Sequence, residues 1–218
     1  MKKFALALAL AIAPTLANAA PQLIVNGSFE DIGNTVGLSF GNQGSLSNGE
    51  WDTFSSIPGW TLASGPGIEV RHNVSGGTEF GNYYVELDAD PAPGDTNIFQ
   101  EISTAANTIY DLSFAYSPRV GLPDTTNGIN VFWNGVQLGG VISATNNTNE
   151  NIWTIFSFQV TGTGGLDKLS FASVADPDTL GGNIDNVSLT AAVPEPSTYG
   201  MMLAGLAMIG YTARRRRS

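Results

Sequence analysis

Ile109-Tyr110-Asp111-Leu112-Ser113-Phe114-Ala115-Tyr116 is the stretch on which the fold turns. Tyr110, Leu112, Phe114 and Tyr116 fall on one side of an extended chain and Asp111 and Ser113 on the other, the period of two that belongs to a strand with one buried face. This segment is expected to be a central strand. On its N-terminal side, Ile68 to His72, Tyr83 to Asp88 and Ile98 to Ile102 read as further strands, and Leu23 to Asn26 as the first. Ile57-Pro58-Gly59-Trp60 reads as a turn delivering Trp60 into a second strand, while Glu30 to Phe54, rich in Gly, Asn and Ser, is expected to be a long loop or hairpin insertion. On the C-terminal side, Asn134-Gly135 between Ile129–Trp133 and Val136–Leu138 is a hairpin signal, because both turn positions require φ > 0. Trp153 to Val160, Leu166 to Ser173 and Ile184 to Leu189 bring the count to about nine or ten strands, spaced as in a sandwich. The expected fold is all-β, with Leu112, Phe114, Phe156 and Phe158 in its core.

Both ends of the chain differ from this body. Lys2 and Lys3 precede the apolar run Phe4 to Ala13, and Ala17-Asn18-Ala19 supplies small residues for cleavage, the parts of a secretory signal peptide over residues 1–19. At the other end, Val193-Pro194-Glu195-Pro196-Ser197-Thr198 leads into uncharged Tyr199 to Ala213 and then Arg214, Arg215, Arg216 and Arg217. Fifteen helical residues would reach roughly 22 Å, short of a hydrocarbon core of about 30 Å, so the helix spans only with help from its flanks. The arginines hold that end on the cytoplasmic side, which places the body, residues 20–192, on the other.

The order Pro194-Glu195-Pro196 with Ser197, short apolar helix and terminal Arg214–Arg217 cluster resembles the PEP-CTERM sorting signals of Gram-negative bacteria. The resemblance covers residues 193–218 and implies an exosortase-type transpeptidase as partner, an inner-membrane intermediate, removal of the helix, and release or attachment at the cell surface. An ordinary anchor with a proline-rich linker predicts the same exported topology.

Without its ends the chain is strongly acidic. Only Arg71, Arg119 and Lys168 are basic in the body, against eighteen Asp and Glu, a net charge of −15. Such a surface repels phosphate backbones and argues against nucleic acid as a partner; it suits hard cations, or keeps an exported protein soluble. The chain contains no cysteine, which excludes thiolate nucleophiles and thiolate metal sites.

Along the body, Asn26-Gly27-Ser28-Phe29-Glu30, Ile57-Pro58-Gly59-Trp60, Ile68-Glu69-Val70, Tyr84-Val85-Glu86-Leu87, Phe99-Gln100-Glu101, Tyr110–Phe114 and Ile184-Asp185-Asn186-Val187 resemble, in that order, the DUF642 and choice-of-anchor domains. Those are similar to galactose-binding-like jelly rolls that include many carbohydrate-binding modules. The resemblance implies an antiparallel jelly-roll sandwich whose first and last strands are neighbours. It also implies a structural Ca²⁺ shared by Glu30 and Asp185 with backbone carbonyls; the alternative is a solvated Glu30 and an Asp185 that caps a turn. Family features that rest on paired cysteines do not transfer.

No catalytic residue is assigned. His72, the only histidine, is in phase with Ile68 and Val70 and reads as a buried or half-buried structural residue. No Gly-x-Ser-x-Gly elbow surrounds a serine, and among eighteen acids a pair such as Glu69 and Glu86 arises by chance. Two functions remain: a non-catalytic module that binds a polysaccharide or surface glycan, and a structural surface or biofilm-matrix protein without a small ligand. Strand phase turns Tyr84 and Glu86 outward with Arg71 beside them, a stacking platform, an acceptor and a donor fork, with Phe132 and Trp153 as outlying aromatics. The competing reading is a cross-strand ion pair between Arg71 and Glu86.

Overall fold

The computed structural model describes residues 20–90, 95–174, 178–192 and 196–215. The expected signal peptide and the sorting residues Pro194, Glu195, Arg216 and Arg217 lie outside these. Twelve strands precede one helix: β1 (Trp51–Phe54), β2 (Ser56–Ile57), β3 (Trp60–Ser64), β4 (Ile68–Arg71), β5 (Tyr84–Glu86), β6 (Asn97–Ser103), β7 (Ile109–Ser117), β8 (Ile129–Trp133), β9 (Val136–Gln137), β10 (Thr154–Thr161), β11 (Leu166–Ser173), β12 (Asn183–Ala191) and α1 (Pro196–Arg215).

The strands form two six-stranded antiparallel sheets, ordered β1-β4-β5-β12-β7-β10 and β2-β3-β6-β11-β8-β9. They face each other as a jelly-roll-type sandwich. Alternation explains the core: Tyr110, Leu112, Phe114 and Tyr116 of β7 are all buried, and the Phe114 ring meets Phe171 of β11 edge-on at 5.0 Å between centroids. Trp60 packs against both Phe171 and Phe29, and its indole Nε1 donates to the Asn26 carbonyl at 3.0 Å. The Asn134-Gly135 hairpin forms as expected, with φ of 51° and 78°. β7 is interior but sits one place from the sheet edge, because among the described residues β10 has no neighbour beyond it. Consequently Phe156 and Phe158 of β10, expected in the core, stack on Phe114 but stay half-buried.

Two other expectations change. Leu23 to Asn26 is not a regular strand, since Asn26 turns into positive φ and the Gln22 side chain takes the place of a ladder bond by accepting from Leu189 N. The segment nonetheless lies along β12, with Leu23 N donating to Leu189 O and Val187 N to Gly27 O, so the two ends of the body are adjacent. The stretch read as a loop to Phe54 ends in β1, which pairs in register with β4. At the C-terminus, α1 is twenty residues long with Arg214 and Arg215 in its last turn, where the helix dipole favours cations. No helix among the described residues is long and apolar enough to cross a membrane.

Candidate binding site

The outer face of β4 and β5 is covered, and this corrects the exposure expected of Arg71, Tyr84 and Glu86. Strand pairing puts Arg71 opposite Tyr84 and Glu69 opposite Glu86, so the three residues are brought together as anticipated. All are buried, however: the loop after β4 folds back over Tyr84, and Arg119 with the Gly181 amide closes over Glu86. Tyr84 donates its hydroxyl to the carbonyls of Val74 and Gly76, Trp153 packs edge-on against its ring at 5.7 Å, and the Trp153 indole donates to Gly77 O at 2.9 Å. Tyr84 is therefore unable to serve as an open stacking surface. Phe132, half-buried on β8, belongs to the other sheet and is not brought to this group.

What lies beneath the loops is an ion network. Arg71 Nε donates to Glu69 Oε1 at 2.7 Å and stands 2.8 Å from Glu86 Oε2, close enough for an ion pair but not aligned for a hydrogen bond. Arg119 Nη1 reaches Glu86 Oε1 at 2.5 Å and the Thr179 carbonyl at 3.1 Å, and Gly181 N donates to the same Glu86 oxygen at 2.8 Å. Burial pushes the Glu86 carboxyl up, to about 7, against the pull of Arg71. Burial would weaken the Arg71 charge, but Glu86 and Glu69 outweigh it and hold the guanidinium firmly protonated. Glu69 and Glu86 are thus clamped by a shared cation and enclosed, an arrangement unsuited to an acid and base pair working on a sugar. His72 is half-buried, its Nδ1 engaged by Leu46 O at 2.9 Å and its ring packed on Tyr83.

Two pockets share Trp51, the first residue of β1. The smaller, about 150 Å³, is lined by Trp51 together with Arg71, Glu69 and Arg119 of the network. The larger, about 400 Å³, is lined by Phe40, Asn42, Gly49, Glu50 and the same Trp51. Its shape depends on Asp52, whose carboxylate accepts from the backbone N–H groups of Ser39 (2.9 Å), Phe40 (3.2 Å), Asn42 (2.8 Å) and Thr53 (2.8 Å). These bonds outweigh the penalty of burial and hold the Asp52 carboxyl below its usual range. They wrap residues 37–42 so tightly that a Cβ on Gly37 would lie 2.1 Å from an Asp52 oxygen. The wrapped loop presents Phe40, 65% exposed, edge-on to Trp51 with centroids 4.8 Å apart. An aromatic wall beside an amide, a carboxylate and a guanidinium can stack on the apolar face of a sugar and bond its hydroxyls.

Sequence reasoning missed Phe40, Asn42, Glu50, Trp51 and Arg119 in this role. The first four lie in the stretch read as a long loop or hairpin insertion, where the usable signal was Phe40 and Trp51, large aromatics in a segment rich in Gly, Asn and Ser.

At the seam between the chain ends, Glu30 Oε1 accepts from Asn82 N (2.7 Å) and Tyr83 N (2.9 Å), and Oε2 from Asn82 Nδ2. Asp185 is buried beside the bulge of β12; its Oδ1 accepts from Asn186 N at 2.6 Å and its Oδ2 from the Thr78 hydroxyl. Burial, aided by the charge of Glu30, pushes the Asp185 carboxyl up to about 7. Asp185 and Glu30 are thus within electrostatic reach, and a buried carboxylate with raised proton affinity and no cation beside it is compatible with a hard cation. No group of three or more His, Asp or Glu placed to hold a metal occurs among the described residues.

Among solved structures, the chain is similar to a family 35 carbohydrate-binding module from Paenibacillus barcinonensis (20% identity, TM-score 0.41, covering 62% of this chain and 94% of that one). It is also similar to a family 35 module from an environmental isolate (17%, 0.43, 61% and 93%) and to a family 16 carbohydrate-binding module (15%, 0.42, 77% and 99%). No curated protein matches the chain. Residues 192–217 match the PEP-CTERM protein-sorting motif, which marks an exported protein processed at the membrane.

Proposed function

We propose that the body is a non-catalytic glycan-binding module, carried to the cell surface or extracellular space by its sorting signal, and that its ligand lies across Trp51. The observation that carries this reading is the Phe40–Trp51 pair, an aromatic wall held toward solvent by a buried carboxylate, with Asn42 and Glu50 within the same pocket. The Phe40 ring is 65% exposed, and hydrogen bonds from four backbone N–H groups to Asp52 hold its loop in place. In this reading Arg71 lines the adjoining small pocket with Glu69 and Arg119, Glu86 anchors both arginines as their buried ion-pair partner, Tyr84 and Trp153 pack behind, and Phe132 takes no part. Exosortase-type processing removes α1, and Glu30 and Asp185 share one Ca²⁺ that ties the two ends of the body together. When bound, that ion supplies charge neutralisation at the seam and no chemistry at the sugar site.

The deciding experiment is retention of the exported protein on a panel of insoluble polysaccharides and a glycan array, compared with Phe40→Ala. Loss of retention with an unchanged melting temperature is expected, since Phe40 contributes little to the core. A Phe40→Ala protein that binds as the parent does, or a parent that binds no glycan at all, overturns the assignment.

A further inference from the structure

A sheet edge is a row of unpaired N–H and C=O groups, and proteins blunt it with short strands, charges, proline or a covering loop. Three of the four edges here are blunted. β2 and β9 have two residues each, and β1 is covered by the loop of residues 37–42, with Leu38 N donating to Thr53 O at 2.7 Å. β10 differs on every count. It is eight residues long, Thr154-Ile155-Phe156-Ser157-Phe158-Gln159-Val160-Thr161, with no charge, proline or glycine, in a body of net charge −15. Its composition, β-branched and aromatic, is that of a segment which adds readily to another strand.

Backbone phase shows which groups face outward. Gly162 N donates to Thr108 O and Gly162 O accepts from Asn107 N, both at 2.9 Å, so Gly162 faces the β7 side. Residues two apart share that direction, which turns Val160, Phe158 and Phe156 toward β7 and Thr161, Gln159, Ser157 and Ile155 toward the open edge. The indole of Trp133 accordingly reaches Thr161 O from outside, at 3.1 Å, and closes only that end. Apolar surface lies along the same lip: Ile155 is 52% exposed, and Phe156 and Phe158 are half-buried although their rings stack on Phe114.

We propose that β10 is a self-association edge at which two copies of this chain pair through antiparallel β10 strands, Ser157 opposite Ser157 on a two-fold axis and Ile155 opposite Gln159. With Thr161 closed by Trp133, the outward residues left open, Ile155, Ser157 and Gln159, are centred on Ser157, so the strand can pair with a second copy of itself about that residue, as an isologous contact requires. Charge selects this edge for a like partner. Two bodies of net −15 repel over most of their surfaces, whereas this strip is neutral, and the nearest acid, Asp111, already accepts from Gln159 Nε2 at 3.1 Å. Pairing would cover Ile155 and the outer edges of Phe156 and Phe158. Because β1 and β10 are the opposite edges of one sheet, the dimer would carry its two Trp51 pockets at the far ends of a continuous twelve-stranded sheet, suited to bridging polymer chains.

The test is the mass in solution of the exported protein as a function of concentration, for the parent and for Ser157→Glu and Ser157→Lys. The parent is expected to be a dimer that dissociates on dilution. Each variant alone is expected to be a monomer, since like charges meet on the axis, and an equimolar mixture of the two should dimerise again. A parent that is monomeric throughout, or variants that still dimerise separately, overturns the proposal. Should either variant fail to fold, amide exchange on the parent decides: the Ile155, Ser157 and Gln159 amides must slow as concentration rises. Exchange that is independent of concentration, or slows only when a different secreted protein is added, also overturns it.

Discussion

Replacing Arg71 by methionine tests whether the buried ion network is what holds the covered face of the first sheet together. Methionine keeps most of the side-chain volume in a site only 4% exposed, but removes the one cation that touches both Glu69, at 2.7 Å, and Glu86, at 2.8 Å. The two carboxylates face each other across the β4–β5 register and would be left as buried like charges. Breaking a buried pair from one side destabilises by about 3–5 kcal/mol. Arg119 and the Gly181 amide still hold Glu86 Oε1, and Asp90 N still donates to Glu69 Oε2 at 3.1 Å, so the lower figure, about 3 kcal/mol, is the better expectation. At roughly 2–4 °C per kcal/mol for a domain of this size, the melting temperature should fall by about 6–12 °C near pH 8. The pH dependence has a definite sign. Glu86 already has a folded-state proton affinity raised to about 7, and losing Arg71 raises it further. A carboxyl raised in the folded state contributes stability that is present below the unfolded carboxylate range and is lost as pH rises through the folded value, so the deficit should shrink on going to about pH 5. Thermal melts of parent and variant at the two pH values decide it. A loss under about 1 kcal/mol, or one equal at both pH values, would refute the idea that Arg71 neutralises buried charge.

Phe114→Ala should cost about 3–5 kcal/mol in urea unfolding and Phe158→Ala roughly half as much, because the second ring lies on the open edge; equal losses would mean that β10 is covered. Asp52→Asn turns an amide donor toward backbone N–H groups that now find an acceptor; it should cost about 1–3 kcal/mol and weaken polysaccharide retention with Phe40 itself intact, and undiminished retention would separate the loop from the site. Added Ca²⁺ should raise the melting temperature more at about pH 8 than at about pH 5, since Asp185 must release a proton to bind it; a temperature unchanged by Ca²⁺ or chelator removes the metal. Replacing Pro194 and Pro196 by alanine should leave an unprocessed, membrane-retained form, and a mature C-terminus that still includes Tyr199 to Ser218 by mass spectrometry would end the sorting assignment.

The sandwich was legible wherever one face of a strand is core and the other is water. In β7 and in β8 the alternation of buried Tyr110, Leu112, Phe114 or Ile129, Val131, Trp133 with polar or half-exposed neighbours is the pattern that the fold uses. The turn chemistry of Asn134-Gly135 was equally local. Position within the sheet was not legible, because apolar alternation is the same whether a strand has one neighbour beyond it or three. Hence β7 lies next to the edge, and Phe156 and Phe158 are half-buried. β1 escaped notice because four residues are too few to show a period, and its register comes from β4, distant in sequence.

The candidate site shows the limit of the same reasoning. Period two states which face a side chain takes, and it was correct for Arg71, Tyr84 and Glu86, which share the outer face of β4 and β5. Whether that face meets water depends on long-range cover: carbonyls of Val74 and Gly76 on the Tyr84 hydroxyl, amides of Asp178 and Leu180 on Asp88, the amide of Gly181 on Glu86. None of these contacts has a periodic signature, since each comes from an irregular loop. The loops that bury the expected platform also create its replacement, because a face roofed over in the middle is left open only at its margin, where Trp51 begins the edge strand. The placement of Phe40 follows from one residue pointing the wrong way for a soluble strand: Asp52, an acid on β1 that is fully buried, must collect donors from somewhere, and the nearest unpaired amides are those of residues 39–42. A buried acid in a short strand beside a glycine-rich segment is thus the physical reason a solvent-facing phenyl ring is held beside Trp51.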